Sequence, residues 1–351
     1  MTALATQSDC PISPQGTESR IVMAHGGGGE LTRTLLRDHI LPPLTNAQLA
    51  PLTDGAVLPV TGGSLVMTTD AFVVQPLEFP GGDIGRLAVC GTVNDLAVMG
   101  AIPEALSLAL VLEEGLSTAV LDRVVASIAA AAAEARVRIV TGDTKVIERH
   151  RGDGMMITTT GIGRLRDGVK LSASRIKPGD VILITGRIAD HGLAVMSARE
   201  GLAFNTELQS DVAPLNALIA GILDTGADVK FMRDPTRGGL AGLLADLSEE
   251  TGYSIVIHER AIPLSRVARH TAEMLGLDPL SVANEGKCVL VVSAQDAPHV
   301  LSAARALPYG QDAAAIGYVT DDTPPLVELH TRAGGRRVVQ RPYGEELPRI
   351  C

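Results

Sequence analysis

Along the chain, short apolar runs repeating every two or every three to four residues alternate with breaks rich in glycine, proline and aspartate. Their order predicts two consecutive α/β units. In the first unit a glycine run leads into an amphipathic helix. It is followed by strand 64–74 (SLVMTTDAFVV), helix 85–100, strand 105–112, helix 118–135, and strands 138–144 and 154–163. The segment LSASRIKPGD (171–180) reads as a linker, because Lys-Pro-Gly-Asp is turn chemistry between apolar runs. VILITG (181–186) then opens a second set of strands and helices, with apolar segments at 215–223, 236–252 and 287–307. The expected organisation is a loose N-terminal tail (1–20), a first α/β domain (21–168), a second (178–334) and a mobile C-terminal tail (335–351).

Chemistry collects at the breaks. AHGGGGELTRTLLRDHI places Gly26, Gly27, Gly28 and Gly29 directly before a helix, a backbone free to wrap an anion. Neither a P-loop nor a G-x-G-x-x-G pattern is present, so the usual NTPase and Rossmann dinucleotide readings lack support. Asp70 ends a strand, Asn94 and Asp95 lie in TVNDLAVMG, Asp143 follows a strand in VTGDTKV and Asp234 opens RDPTRGG. Any one of these is ordinarily a cap or a turn residue. Together, with no His/Cys cluster beside them, they suit oxygen-ligated Mg²⁺ and a nucleotide. Lys145 can neutralise a phosphate from the same loop as Asp143.

Composition narrows the setting. A net charge of −10, aromatic residues at 2% and no tryptophan argue against a nucleic-acid groove. Charge interrupts the apolar stretches well short of a membrane span, and residues 1–20 lack a signal pattern. The four cysteines (Cys10, Cys90, Cys288 and Cys351) form no C-x-x-C pair, which fits a reduced cytosol. Cys90 and Cys288 sit in apolar segments and read as buried, inert thiols. Cys351 stands apart, last in the chain behind Pro-Arg-Ile. The 17 residues from Gly335, fully extended, reach at most roughly 50–60 Å.

These motifs, HGGGG, FPGGDIGRLAVCGTVNDLAVMGAIP, LEEG, IVTGDTKV, DHG, RDPTRGG, ANEGK and PRIC, resemble those of the hydrogenase expression/formation protein E family, maturation factors for nickel–iron hydrogenases. The resemblance runs from Ile21 to Cys351. The wider superfamily holds aminoimidazole ribonucleotide synthetase, selenophosphate synthetase and thiamine monophosphate kinase. It implies a two-domain α/β (α+β) fold of the aminoimidazole ribonucleotide synthetase type, a homodimer whose N-terminal domains join their sheets in a barrel-like interface, and ATP near the domain junction. The implied activity is dehydration of a carbamoyl group, loaded on Cys351 by a carbamoyltransferase partner, to a thiocyanate. The cyanide then passes to iron on a partner scaffold complex.

By motif, Asp70, Asp95 and Asp143 would hold Mg²⁺; Gly26–Gly29, Asn94, Thr144 and Asp234 would bind ATP; Lys145 would stabilise the transferring phosphoryl group; and Glu285 of ANEGK would be the base. Expelling oxygen from a carbamoyl group requires making it a good leaving group, which phosphorylation does, and removing protons from nitrogen. Two other readings remain: a small-molecule phosphotransferase on the same fold, and a carrier in which Cys351 ferries a metal or ligand without catalysis. The first is disfavoured because SRIVMAHGGGG lacks the reactive Cys and Lys of selenophosphate synthetases. The second leaves the Asp and Gly apparatus unused. His25 reads either as a capping or packing residue or as one that approaches phosphate or metal, and His191 reads as starting a helix, with the tail channel a minor alternative.

Overall fold

The structure, a computed structural model, describes residues 21–43, 46–47, 50–201, 208–344 and 350–351. After α1 (Glu30–Leu35), the first unit contains β1 (Ala56–Val60), β2 (Gly63–Phe72), a short pair β3 (Glu78–Phe79) and β4 (Gly82–Asp83), α2 (Ile84–Val98), β5 (Ala101–Glu113), α3 (Thr118–Ala135), β6 (Arg138–Ile147) and β7 (Met155–Leu165). Its main sheet has the order β1-β2-β7-β5-β6. Helix α2 starts where the Asp83 carboxylate accepts the Gly85 and Arg86 N–H groups at 2.7 and 3.0 Å, an N-cap. It is buried on all sides except at Arg86 and Asp95, as befits a helix enclosed by a sheet and other helices. Close approach needs small residues: a side chain at Gly91 would meet the Phe72 ring at 2.9 Å. Helix α3 buries Val124, Ile128, Ala131, Ala132 and Ala135, a single stripe with helical spacing.

The second unit contains β8 (Val181–Ile184), α4 (Asp190–Arg199), α5 (Asn216–Leu223), β9 (Val229–Arg233), α6 (Gly239–Thr251), β10 (Ser254–His258), α7 (Arg266–Leu275), β11 (Val289–Val292), α8 (Ala297–Arg305), β12 (Ala314–Thr320), β13 (Val327–His330) and β14 (Arg336–Val339). Its sheet has the order β14-β13-β10-β12-β8-β11-β9. All four residues of β11 are buried, as the unbroken apolar run VLVV requires of a central strand. The linker is pinned by the buried Lys230–Asp180 pair (2.8 Å) and by the Ser172 N–H to the Lys230 carbonyl (2.8 Å).

Two segments depart from the expected organisation. Residues 336–339, assigned to the tail, form edge strand β14, paired antiparallel with β13. The glycine segment, assigned to the first unit, lies on the second, where Arg33 is bonded to Glu249 of α6 at 2.5 Å.

Candidate active site

Carboxylates from both units converge at the junction. Alternation along β2 turns Val66, Thr68, Asp70 and Phe72 towards α2, and Met67, Thr69 and Ala71 away from it. On that inner face Thr92 of α2 donates to Asp70 at 3.2 Å and Thr68 donates to Asp95 at 2.8 Å. Asp54, just before β1, pairs with Arg233 of the second unit at 3.1 Å. Asp234 follows Arg233 and is buried. Burial, then mutual repulsion among Asp54, Asp70 and Asp234, holds Asp95 well above the usual carboxylate range. Burial and the Asp54 and Asp70 charges push Asp234 up to about 8. Asp54 and Asp70 are raised as well, chiefly by burial.

Glu285 sits in a loop whose main chain is fixed from several sides. The Glu285 and Gly286 N–H groups donate to Asp211 at 3.2 and 3.3 Å, and Lys287 pairs with the same carboxylate at 3.3 Å. A side chain at Gly286 would overlap the Asp211 carbonyl, so only glycine fits. Asn284 donates to the Pro235 carbonyl at 2.9 Å and accepts the Ala189 N–H at 2.7 Å. The Glu285 side chain is 3% exposed, and its Oε1 has no hydrogen-bond partner among the described residues. Burial, with Asp234 and Asp211 nearby, raises it well above the ordinary range, the condition of a carboxyl poised for proton transfer.

The segment carrying Cys351 docks at this junction. Ile350 forms an antiparallel bridge with Val74, the Val73 N–H donates to the Cys351 main-chain oxygen at 3.3 Å, and the Ile350 side chain is buried. Arg237 is held above its usual pKa first by the negative charge of Cys351, against the cost of burial, with Asp70 adding to it. Arg237 thus links the thiol-bearing residue to the carboxylates. Upstream, Arg341 pairs with Asp246 and Glu249 at 2.7 Å and with Glu30 at 2.9 Å. Arg33 and Arg341 together hold Glu249 down at about 2.

The glycine run meets protein here. The Glu30 and Leu31 N–H groups, where a phosphate was expected, donate to the Pro342 and Tyr343 carbonyls at 3.2 Å. A side chain at Gly29 would overlap the Pro342 carbonyl, and one at Gly28, where φ is +73°, would lie 2.9 Å from Arg237 Cβ. Gly27 is buried, and Gly26 closes the short turn Met23–Gly26 before it.

Other expected site residues lie elsewhere. The ladder rows run Asp70–Thr159–Leu108–Gly142 and Ala71–Thr158–Ala109–Asp143. Asp143 and Lys145 therefore stand on the face of the first sheet away from Asp70 and Asp95, with side chains 67% and 72% exposed and 3.7 Å apart. Thr144 takes the opposite face at the exposed edge strand. Asn94 is fully engaged inward, donating to the Ala213 and Glu285 carbonyls at 3.0 and 3.2 Å and accepting the Leu215 N–H at 2.7 Å. It acts as a clamp between α2 and the Glu285 loop. Cys90 and Cys288 are fully buried, and burial pushes the Cys90 thiol up to about 12. Sequence reasoning missed Asp54, Arg233 and Arg237. The first reads as a plain turn residue in LTDGAV, and both arginines lie within RDPTRGG, where the aspartate is the more evident ligand.

Residues 52–165 and 177–328 match the N-terminal and C-terminal domains of the AIR synthase related protein family, so fold and site define a two-domain protein of that class. The carbamoyl dehydratase HypE of Cupriavidus necator is 47% identical over 333 residues, 95% of either chain. A solved HypE–HypF complex matches at TM-score 0.83 and 45% identity, over 90% of this chain and 100% of that one. HypE in complex with ATP matches at TM-score 0.80 and 43% identity, over 93% and 98%. The chain belongs to the HypE family of carbamoyl dehydratases.

Proposed function

We propose that this protein uses ATP to dehydrate a carbamoyl group carried on Cys351, leaving a thiocyanate that supplies cyanide to hydrogenase iron. The observation that carries this is the docked Ile350–Cys351 segment, which brings a thiol to a junction lined by Glu285, Arg237 and four aspartates. The carbamoyl oxygen attacks the γ-phosphorus and ADP leaves. The nitrogen gives up one proton as the O-phosphorylated carbon–nitrogen double bond forms and the second as phosphate departs, leaving S–C≡N. Glu285, with an unpartnered buried oxygen, accepts the nitrogen proton, and Arg237 offsets the charge that builds on the oxygen.

The donor set suits Mg²⁺. Asp70, Asp95 and Asp234 offer hard oxygens whose mutual repulsion a dication relieves. No three His, Cys, Asp or Glu side chains among the described residues are placed to hold a metal ion by themselves, so an ion there would also need phosphate and water ligands. Bound there, it would offset nucleotide charge.

Asp143 and Lys145 fit this reading through a second copy. The outer face of the first sheet carries exposed Met67, Ile102 and Ile162, which no helix among the described residues covers, and two such faces packed together would bury them and carry Asp143 and Lys145 to a neighbour. A carbamoyltransferase partner loads Cys351, and an iron-carrying scaffold complex accepts the cyanide. No helix among the described residues is long and apolar enough to cross a membrane.

The test is a mass time course with the carbamoyltransferase, carbamoyl phosphate and Mg-ATP. The Cys351 peptide should gain a carbamoyl mass and then lose one water. Glu285→Gln should load normally and dehydrate about 10²–10⁴-fold more slowly. Loading without water loss in the unaltered protein defeats the dehydratase reading, and a Gln variant at the normal rate moves the base role elsewhere.

A further inference from the structure

His191 lies in the first turn of α4, is 0% exposed and has both ring nitrogens engaged. Its Nε2 is 2.6 Å from the Ile350 carbonyl and its Nδ1 is 2.8 Å from Ser210 Oγ. A carbonyl can only accept, so Nε2 carries a proton. Ser210 Oγ accepts the Val212 N–H at 3.1 Å and can still donate its own hydrogen to an unprotonated Nδ1. The ring is therefore the neutral tautomer with the proton on Nε2, as its burial favours. Asp211 is the charged group that acts on it. Phe79 meets the ring edge-on, with centroids 5.4 Å apart. The Ser210 N–H is fixed to the Pro80 carbonyl at 2.8 Å.

The same helix start is tied to the loop that carries Glu285. The Gly192 N–H donates to the Ala283 carbonyl at 3.2 Å, and the Ala189 N–H donates to Asn284 at 2.7 Å. The atom that holds Ile350 and the loop that presents the base thus share one frame. A slip of one residue in an extended segment turns every side chain to the other face. The single bridge Val74–Ile350 is a weak register mark by itself.

We propose that His191, oriented by Ser210, is a positioning residue that fixes the register of the docked segment by holding the Ile350 main-chain carbonyl, so that the Cys351 thiol faces the carboxylates. This rests on the dehydratase reading for its consequence and on the docked geometry for its substance. His191 reads main chain, so the lock acts whatever side chain precedes the cysteine.

The test compares His191→Leu, which fills space without a donor, with His191→Gln, which restores an N–H. Two readouts are taken on the full-length protein: alkylation of Cys351 by iodoacetamide with Mg-ATP present, followed on its peptide by mass, and single-turnover water loss after carbamoylation. Losing one buried hydrogen bond should raise alkylation and lower the dehydration rate about tenfold in the Leu variant, with the ATP KM within about twofold of the unaltered protein. The Gln variant should recover most of both. A packing role predicts the reverse order, because Leu suits a buried apolar site better than Gln, and that order overturns the proposal. Ser210→Ala, at a half-buried position, should shift both readouts in the same direction by a smaller factor. If both His191 variants fail to fold, an unchanged Ser210→Ala overturns the proposal and a shifted one supports it. Should even the unaltered protein give no thiocyanate, the dehydratase reading fails while alkylation still decides the register lock.

Discussion

Burial and neighbouring carboxylates penalise the charged forms of Asp95 and Asp234; Asp234, pushed up to about 8, holds its proton at neutral pH, and a dication bound there would have to displace it. Asp234, raised from an ordinary 3.8 to about 8, favours the fold at low pH, and that contribution is lost as pH rises through about 8. The cation-free protein should therefore melt lower at pH 8.5 than at pH 6.5. Mg-ATP should reverse this, with affinity climbing over the same interval and proton release in calorimetry run in buffers of different ionisation enthalpy. Asp95→Asn should cost about tenfold or more in Mg-ATP affinity; equal affinity would remove Asp95 from the site. Asp70, Asp95 and Asp234 were legible as carboxylates set in otherwise apolar or glycine-rich segments, Cys351 as the last residue of the chain, and Glu285 only through the ANEGK motif of the family resemblance. The face on which Asp143 and Lys145 stand was not, since two-residue spacing shows only that they share one.

At the scale of elements, helices and strands with strong periodicity, such as α3 and β11, follow from local sequence. The glycine run shows where local reading stops: four glycines say that something approaches the backbone closely, not what approaches. Here it is the main chain of residues 342–343 and Arg237. Gly29→Ala should dislodge that segment, raising Cys351 alkylation and lowering dehydration about tenfold or more, while Mg-ATP affinity, measured by calorimetry, stays within about threefold. The closest precedent in energy is the roughly 1–3 kcal/mol cost of a clash in a packed site. Loss of ATP affinity in step with turnover would restore the phosphate-cradle reading. Strand β14 was hidden for a related reason. RRVV is a short edge strand whose partner β13 is supplied by tertiary context, and such strands carry little signal of their own.

For the whole molecule, two α/β units were readable from the alternation of patterns, but the order β14-β13-β10-β12-β8-β11-β9 joins strands far apart in sequence and no local pattern encodes it. If two copies meet through the outer face of the first sheet, Ile162→Asp should convert dimer to monomer in sedimentation. Mixing Lys145→Ala with Glu285→Gln should then recover up to about a quarter of normal turnover, through mixed dimers with one intact site. No recovery in proven mixed dimers would place Lys145 in the same site as its own chain's Glu285, or in none.

With residues 336–344 held by β14, Arg341 and the carbonyl contacts to α1, only the seven residues 345–351 separate that anchor from the thiol, at most roughly 23–25 Å of chain. The expected 17-residue reach is cut by more than half. On the proposed function, Cys351 would meet its seat across that span at an effective concentration in the millimolar range. On the same reading, a partner that charges Cys351 would have to bring its reaction centre inside that radius and outcompete an intramolecular rival. Doubling that length of chain with a glycine–serine insert after Gly344 should lower the effective concentration about threefold, read as faster Cys351 alkylation, and should relax the distance the charging enzyme has to meet. On the proposed function, the length of chain after Gly344, more than the exposure of the thiol, would set how closely the two proteins must dock.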